Sequence, residues 1–339
     1  MNDIEFKYIE EANVTEESYL EFLKTEYKER ATDKFGKRRE WYKKKDGFRI
    51  LLAMCNNEIV GQACAYKDNV VINGKETIIW WGCDNFVLAK TRGMGVGKKL
   101  QMKLHEDLPN FSSAWYAPIN GIIKTKCGSK PLFDVAFVYY PVSRFFTIFI
   151  SKAIKKFLKK KVNINIRLPF FYTVINKCTG YKRVEIKETL LNENVCDFIT
   201  NSTLNEHDFY TKRDKKYLNW RYNENPNLKF YTTEIIRDGE LEAVLLFTHA
   251  HIENGIVVTK ILDVFKKKDC MLNNKDLLIS VASFFKKKRV SIDGIQLINV
   301  CKYYPCQINK APFLSTIKLD ANIKNAYISY TDQDMAQMY

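Results

Sequence analysis

"KTRGMGVGKKL", residues 90–100, places Gly93, Gly95 and Gly97 at alternate positions in a chain that has only 14 glycines. The run before it, "IIWWGCDNFVL", is apolar and short enough for a buried strand. The run after it, "GKKLQMKLHEDL", sets Val96, Leu100, Leu104 and Leu108 on one face of a helix over 95–108. The glycines therefore fall in a strand-to-helix turn. There they bare backbone N–H groups at a helix N-terminus, an arrangement that suits a phosphate.

The 339 residues and 46% hydrophobic content allow two ordinary domains, each with a core. Aromatic content of 14% excludes a disordered chain. A formal net charge of +15 favours anionic partners without choosing among phosphates, nucleic acid and membrane surfaces. The basic residues are spread over many segments and no nucleic-acid-binding motif occurs, so nucleic acid is not expected. The nine cysteines are scattered and lack any CxxC pair, which argues against zinc and for a reducing cytoplasm. No apolar run reaches the roughly 20 residues that span a bilayer. "FFTIFISKAIKKFLKKK", residues 145–161, reads as a packed basic helix or a membrane-surface helix.

The chain repeats one order of features. Trp41–Tyr42, "FRILLAMCNNEIVGQACAY" and "IIWWGCDNFVL" make the first set. Trp220–Arg221–Tyr222, "FYTTEIIRDGELEAVLLFTHA" and "IVVTKILDVF" make the second. Each set has a hairpin with a polar turn, Asn56–Asn57 or Asp238–Gly239, then a strand carrying one aspartate, Asp84 or Asp263. A helix follows in each, over 95–108 and 273–287, and then a strand, over 111–118 and 292–299. This is a tandem duplication: an α/β (α+β) chain of two domains, 1–150 and 166–339, joined by a basic linker helix at 151–165. Each domain is a mixed, mainly antiparallel sheet flanked by helices. The second half has "KKKDCMLNN" in place of "TRGMGVG". Its side chains would block close backbone approach, so one phosphate site is expected, in the first half.

"VLAKTRGMGVGKKL" resembles the acyl-CoA-binding segment of the Gcn5-related N-acetyltransferases (GNAT), whose Q/R-x-x-G-x-G/A pattern is met by Arg92, Gly95 and Gly97. "RDKKYLNWRYNENPNLKFY", residues 213–231, and the closing "YISYTDQD" are similar to stretches of two-domain members linked to surface-polysaccharide (O-antigen or capsule) biosynthesis. That likeness implies acyl transfer from acetyl-CoA or 3-hydroxybutanoyl-CoA to a nucleotide-linked amino sugar, for which a dTDP-3-amino-3,6-dideoxyhexose is the model.

The resemblance further implies that N–H groups of Gly93, Met94, Gly95, Val96, Gly97 and Lys98 hold the pyrophosphate, with Arg92 neutralising it. The backbone of Val87 and Leu88 would pair with the pantetheine arm. Lys98 and Lys99 read equally as solvated helix charges. Asp84 is the candidate base, or else a fold-internal partner like Asp263. The family's acid tyrosine has no match: in "APINGIIKTKCGSKPLF" Asn120 fits the family's Asn, but Gly128 follows too soon and no tyrosine lies between. Tyr116, Tyr139 and Tyr140 lie near in sequence, and Cys127 is a thiol in the right segment or a core cysteine.

For the acceptor, Trp41, Tyr42, Trp81, Tyr140, Trp220, Arg221 and Tyr222 compete as aromatic or basic contacts, against a core role. His249 and His251 alternate on one strand face and would touch the sugar nucleotide or form a base pair of their own. They lack a third metal ligand, so no metal is expected. The basic run "DKFGKRREWYKKKDGFR" either steers a diphosphate or is a solvated helix face. Two other readings stand beside this one: transfer to a peptide or tRNA-borne amine, and a non-catalytic acyl-CoA- or polyanion-binding module. A monomer fits, and nothing in the sequence fixes the oligomeric state.

Overall fold

A computed structural model describes residues 4–114, 118–141, 182–183, 190–237, 239–252, 256–270, 290–294, 307–319, 322–329 and 332. The proposed linker helix at 151–165 and the helix at 273–287 lie outside these residues.

The first half opens with β1 (Ile4–Tyr8) and α1 (Glu16–Tyr27). Thr15 begins α1 by accepting the N–H of Ser18 at 3.1 Å, the usual cap for a free first-turn donor. Tight helical turns and α2 (Arg39–Lys43) follow. Next come β2 (Phe48–Cys55), β3 (Glu58–Ile72) and β4 (Lys75–Val87). The β2–β3 turn puts Asn56 and Asn57 at φ 50° and 64°, the left-handed pair that a two-residue hairpin needs. After the glycine loop come α3 (Val96–Asp107), β5 (Phe111–Ser113), α4 (Pro118–Lys126) and β6 (Lys130–Pro141). The strand expected over 111–118 is thus cut short: Pro118 already starts a helix, as its fixed φ favours.

The second half contributes β7 (Lys182–Arg183), α5 (Glu193–Thr200), β8 (Phe209–Thr211) and α6 (Lys215–Leu218). β9 (Tyr231–Arg237) and β10 (Glu240–Ile252) form the second hairpin. The rest are β11 (Ile256–Lys266), β12 (Val290–Gly294), β13 (Gln307–Ser315) and β14 (Ala326–Tyr327).

The fourteen strands of the described residues join one sheet of order β1-β2-β3-β4-β5-β13-β6-β12-β11-β10-β9-β7, with β8 on β3 and β14 on β8. The order is nearly palindromic about the antiparallel pair β13–β6. Each half lends the other a strand: β6 pairs with β12, and β13 pairs with β5. The strand that a boundary at 150 assigns to the first half therefore completes the sheet of the second.

Strand alternation feeds two cores. Leu51, Ala53, Val60, Ala63 and Ala65 face α3 and its Val96, Leu100 and Leu104. Ile50, Leu52, Cys64 and Tyr66 face a larger core built from both halves. At its centre Trp41 and Trp220 stack with ring centroids 4.5 Å apart and planes 7° off parallel. Each indole N–H donates to the other residue's carbonyl, Trp41 to Trp220 at 2.6 Å and Trp220 to Trp41 at 3.0 Å. Equivalent residues of the two repeats thus meet reciprocally, as across a two-fold axis.

Candidate acyl-transfer site

The site begins at a β-bulge. Gln62 of β3 faces Phe86 and Cys64 faces Cys83, so Asp84 and Asn85 stand opposite Ala63 alone. Asp84 takes the extra turn at φ 46°, a conformation that aspartate tolerates better than most residues. The bulge is braced from both sides. Gln62 Nε2 donates to the Asp84 carbonyl at 2.9 Å, and the Cys64 N–H donates to Asn85 Oδ1 at 3.0 Å. Tyr19 of α1 donates to Gln62 Oε1 at 2.9 Å. The half-buried Asp84 carboxylate receives the Tyr27 hydroxyl at 3.4 Å. Burial first, and Asp84 second, hold the Tyr27 phenol far above its ordinary range, so it stays a donor.

Past the bulge, β4 runs on to Val87 while β5 ends at Ser113; the described ladder between them is Trp80↔Phe111 and Trp81↔Ser112. Leu88 commits its N–H to Val60 O at 2.9 Å, on the β3 side. By strand alternation Val87 turns its backbone the other way. Its carbonyl accepts Arg92 Nε at 3.3 Å. Of the two residues expected to pair with a pantetheine, the geometry leaves Val87, and Leu88 is spent within the sheet.

Arg92 is exposed and lies 3.8 Å from Glu26. Gly93 and Gly95 have φ 86° and 76°, and a Cβ built on either meets nothing within 4 Å. Gly95 is the N-cap of α3 and supplies no side-chain bond; the first helical bond runs from Lys99 N–H to Gly95 O at 3.0 Å. The N–H groups of Val96, Gly97 and Lys98 precede it and point out of the helix start. Val96 is buried beneath them, while Met94, Lys98 and Lys99 are exposed. An open, uncapped turn of this kind fits a diphosphate. In the second half the matching turn has Cys270 N–H on Lys267 O, and the Lys267 amine sits 3.2 Å from Glu240; the rest of that segment lies outside the described residues.

The two aspartates of the repeat have diverged. Asp263 also sits at a bulge, between Leu246 and Phe247 of the partner strand. It is 1% exposed and is held by Arg213 at 3.3 Å, by the Tyr327 hydroxyl at 3.0 Å and by the Tyr222 hydroxyl. Arg213 reaches Asp332 as well, at 2.7 Å. Asp214 caps α6 through the Tyr217 N–H at 2.8 Å. The stretch 213–222 and the closing 327–332 segment thus lock around Asp263.

The aromatic residues expected to meet the acceptor, and Arg221, have partners within the fold. Trp41 and Trp220 are spent on each other, Arg221 is buried against their rings and on the Tyr66 hydroxyl at 3.3 Å, and Tyr222 is spent on Asp263. Trp81 lies fully buried, edge-on to Phe313 at 5.6 Å. Tyr42 stacks on Phe48. The basic run reaches a pocket between the halves lined by Lys44, Lys45, Lys67, Asp68, Lys212 and Trp220. It is not a bare anion site: Lys45 pairs with Asp68 at 2.7 Å, Lys44 with Glu224 at 3.2 Å and Lys212 with Glu76 at 2.5 Å. It also lies some seven residues down β4 from Val87, roughly 20 Å from the glycine loop.

Asn120 is half-buried in the first turn of α4. Cys127 closes that helix, and burial pushes its thiol up, away from thiolate. Tyr116 lies outside the described residues, as do the side chains of Tyr140, His249 and His251, whose backbones pair in β6 and β10. Among the described residues no group of three or more His, Cys, Asp or Glu is placed to hold a metal, and no helix is long and apolar enough to cross a membrane. Sequence reasoning missed Tyr27 and Gln62. A lone glutamine in the apolar run "IVGQACAY" was the signal for the second.

Residues 14–114 match the model of the acetyltransferase (GNAT) family, which places a GNAT domain in the first half. No curated protein matches the sequence. The fold is shared with a probable N-acyltransferase from Enterococcus faecalis V583, at TM-score 0.59 and 12% identity over 92% of this chain and 72% of that one. A tandem GNAT protein of the clavulanic acid biosynthesis pathway matches at TM-score 0.53 and 11% identity, covering 94% and 100%. Saccharomyces cerevisiae N-myristoyltransferase with bound myristoyl-CoA matches at TM-score 0.51 and 10% identity, covering 96% and 87%. The chain is a mixed α+β protein with the tandem GNAT fold.

Proposed function

We propose that the chain is an acyl-CoA-dependent N-acyltransferase that works through its first half. The observation that carries this reading is the divergence of the two bulge aspartates. Asp263 is sealed by an arginine and two tyrosines, whereas Asp84 stays half-buried on the strand that leads to an open glycine turn.

The N–H groups of residues 93–98 would hold the pyrophosphate, and Val87 would meet the pantetheine arm. The thioester supplies an activated acyl carbon. Asp84, directly or through a water, takes the proton that the acceptor amine loses as it attacks. Tyr27 and Gln62 fix the carboxylate and the bulge, so the base is positioned before substrate binds.

The acceptor carried forward is the amine of a nucleotide-linked amino sugar, on the strength of the sequence likeness alone. The residues of 213–222 that carry that likeness are fold-building. Their agreement therefore supports a shared architecture more than a shared sugar contact.

The test is thiol release from acetyl-CoA and 3-hydroxybutanoyl-CoA with dTDP- and UDP-linked amino sugars, and with lysine peptides as contrast. Asp84→Asn should lower kcat by about 10²-fold or more with little change in KM for acyl-CoA. Peptide acylation without sugar acylation would replace the acceptor. Full activity of Asp84→Asn would remove the base.

A further inference from the structure

Arg39 opens α2, is half-buried, and has no part in the chemistry above. Its guanidinium carbon lies 5.3 Å from the centre of the Tyr19 ring and 5.4 Å from that of Phe35. The Tyr19 hydroxyl holds Gln62, and Gln62 holds the Asp84 carbonyl. One aromatic residue therefore separates this cation from the brace of the Asp84 bulge. Ring contacts make a second link. Phe35 lies 6.0 Å from Tyr19, Tyr19 6.2 Å from Phe22, Phe22 4.6 Å from Phe86 and Phe86 5.4 Å from Tyr27. The Tyr27 hydroxyl ends that link on Asp84. Burial first, then Cys64 and Asp84, push the Tyr19 phenol up, while Arg39 pulls it down, so both charges act on one ring.

No carboxylate pairs with Arg39 among the described residues, and its buried Nε has no hydrogen-bond partner there. Its neighbour Arg38 differs: it is 5% exposed and turned against Tyr42. Rings hold a guanidinium by its face and leave the N–H groups along its edge unused. That edge is a planar fork, which matches two oxygens of a phosphate or a carboxylate. The fold itself does not need a cation here. Trp41 and Trp220 are matching residues of the repeat, and two places before Trp220 stands Leu218, fully buried in the apolar core. A leucine meets the packing requirement without desolvating a charge. The turn that presents Arg39 is also unusual: Lys34–Arg38 is π-helical, a form that recurs at functional sites. A Cβ built on Gly36 within it meets nothing within 4 Å.

We infer that Arg39 binds an oxyanion carried by the acceptor, so that the acylated amine belongs to an anionic small molecule; this rests on the acyltransferase reading. With its amine at Asp84, the acceptor sets its phosphate or carboxylate on the Arg39 fork. The two ends meet opposite charges, and that fixes the direction in which the acceptor lies. A nucleotide-linked amino sugar qualifies through its diphosphate, and an amino-uronic acid through its carboxylate. A neutral amine or a lysine peptide lacks the second contact. The net charge of +15 favours anionic molecules at long range as well.

Binding is measured first, by calorimetric titration into the full chain saturated with CoA, so that the glycine turn is already filled. The probes are an amino hexose as its 1-phosphate, as the corresponding uronic acid methyl glycoside, and as the neutral methyl glycoside. One of the two anionic forms should bind about tenfold to a hundredfold more tightly than the neutral one, and added salt should narrow the difference. Which form gains tells phosphate from carboxylate. Arg39→Leu, with Leu218 as its precedent, should bring the anionic form down to the neutral level. Arg39→Lys keeps the charge without the fork and should fall between. No anionic advantage in the wild type, or one that survives in Arg39→Leu, overturns the inference without reference to turnover. If the leucine variant fails to fold, the wild-type comparison and Arg39→Lys still decide.

The second measurement is thiol release from acetyl-CoA with the same three amines and with a lysine peptide. Arg39→Leu should lower kcat/KM for the anionic amine by about tenfold or more beyond its effect on the neutral one, mainly through KM. Equal losses on both would overturn the inference and make Arg39 a structural residue. Preferred acylation of the lysine peptide would overturn it too, and leave the transferase reading intact. Wild-type protein that binds CoA but releases no thiol with any amine would instead refute the transferase reading, while the calorimetric preference would still report whether Arg39 holds an anion.

Discussion

Replacing Gly95 by aspartate separates ligand binding from folding. Gly95 sits at φ 76° as the N-cap of α3, and a side chain there meets no atom within 4 Å. The left-handed conformation costs an L-residue about 1–2 kcal/mol. An aspartate at an N-cap returns about 1 kcal/mol through the first-turn N–H groups and the helix dipole. Stability should therefore stay within about 1 kcal/mol of wild type, since no packing is lost. Binding behaves otherwise. A carboxylate roughly 5 Å from a phosphate, at an effective dielectric between about 20 and 80, costs about 1–3 kcal/mol per unit of phosphate charge. That is a loss of CoA affinity between roughly fivefold and a few hundredfold. Gly95→Ala carries the strain without the charge and should lose no more than a few fold. Calorimetric titration of CoA into the three proteins, with a thermal melt of each, decides the matter. Added salt should narrow the gap for aspartate. If Gly95→Asp bound CoA as tightly as Gly95→Ala, the diphosphate would not lie at this turn.

Three further outcomes follow from the packing and the buried charges. Trp41→Ala removes a stacked ring and takes the indole donor away from the Trp220 carbonyl, so chemical denaturation should show a loss of about 3–5 kcal/mol, and the double-mutant cycle with Trp220→Ala a coupling near 1 kcal/mol; additive losses would refute the reciprocal contact. Arg213→Met strands the buried Asp263 and Asp332 without their cation and should cost about 3–5 kcal/mol at pH 7, less as the pH falls and Asp332, whose carboxyl burial pushes up, takes a proton; a pH-independent loss would contradict this. The folded Lys124 amine, near 8, lies below its unfolded value of 10.5, so the unfolded state binds more protons between these limits and stability should rise with pH across that window. Lys124→Met should lack that rise and be about 3 kcal/mol more stable at pH 7, read from denaturant midpoints; a destabilised Lys124→Met would mean that the amine is a structural brace.

Features legible in the sequence were those that local backbone chemistry decides. Asn56–Asn57 mark a hairpin turn and the glycines at 93, 95 and 97 a strand-to-helix turn, and the structure puts both turns there, with left-handed backbone at both asparagines, Gly93 and Gly95. The apolar period of 96–104 gave α3 its buried face. What escaped depends on partners far away in sequence. Nothing in "KPLFDVAFVYYP" says that β6 completes the other half's sheet, because any half-buried strand reads alike whichever neighbour it takes. Lys124 looks like one more base in "IIKTKCG", and only the meeting of α4 with β4 and β5 buries it. Trp41 and Trp220 carried an unread signal. Identical residues at matching places in a repeat are the ones that self-complementary association brings together.

The exchange of β6 and β13 also sets how this molecule can be taken apart. A cut in the chain between β6 and β7 would leave each fragment with a strand that belongs in the other's sheet and a gap where its own should be. Neither fragment would be a monomeric protein. The two would recover the fold only by meeting, at a rate set by their concentrations, as the subunits of an obligate dimer do. The intact chain makes that meeting intramolecular, at the high effective concentration a tether gives. Covalent continuity thus replaces mass action in holding the two halves together, and dilution cannot dissociate them.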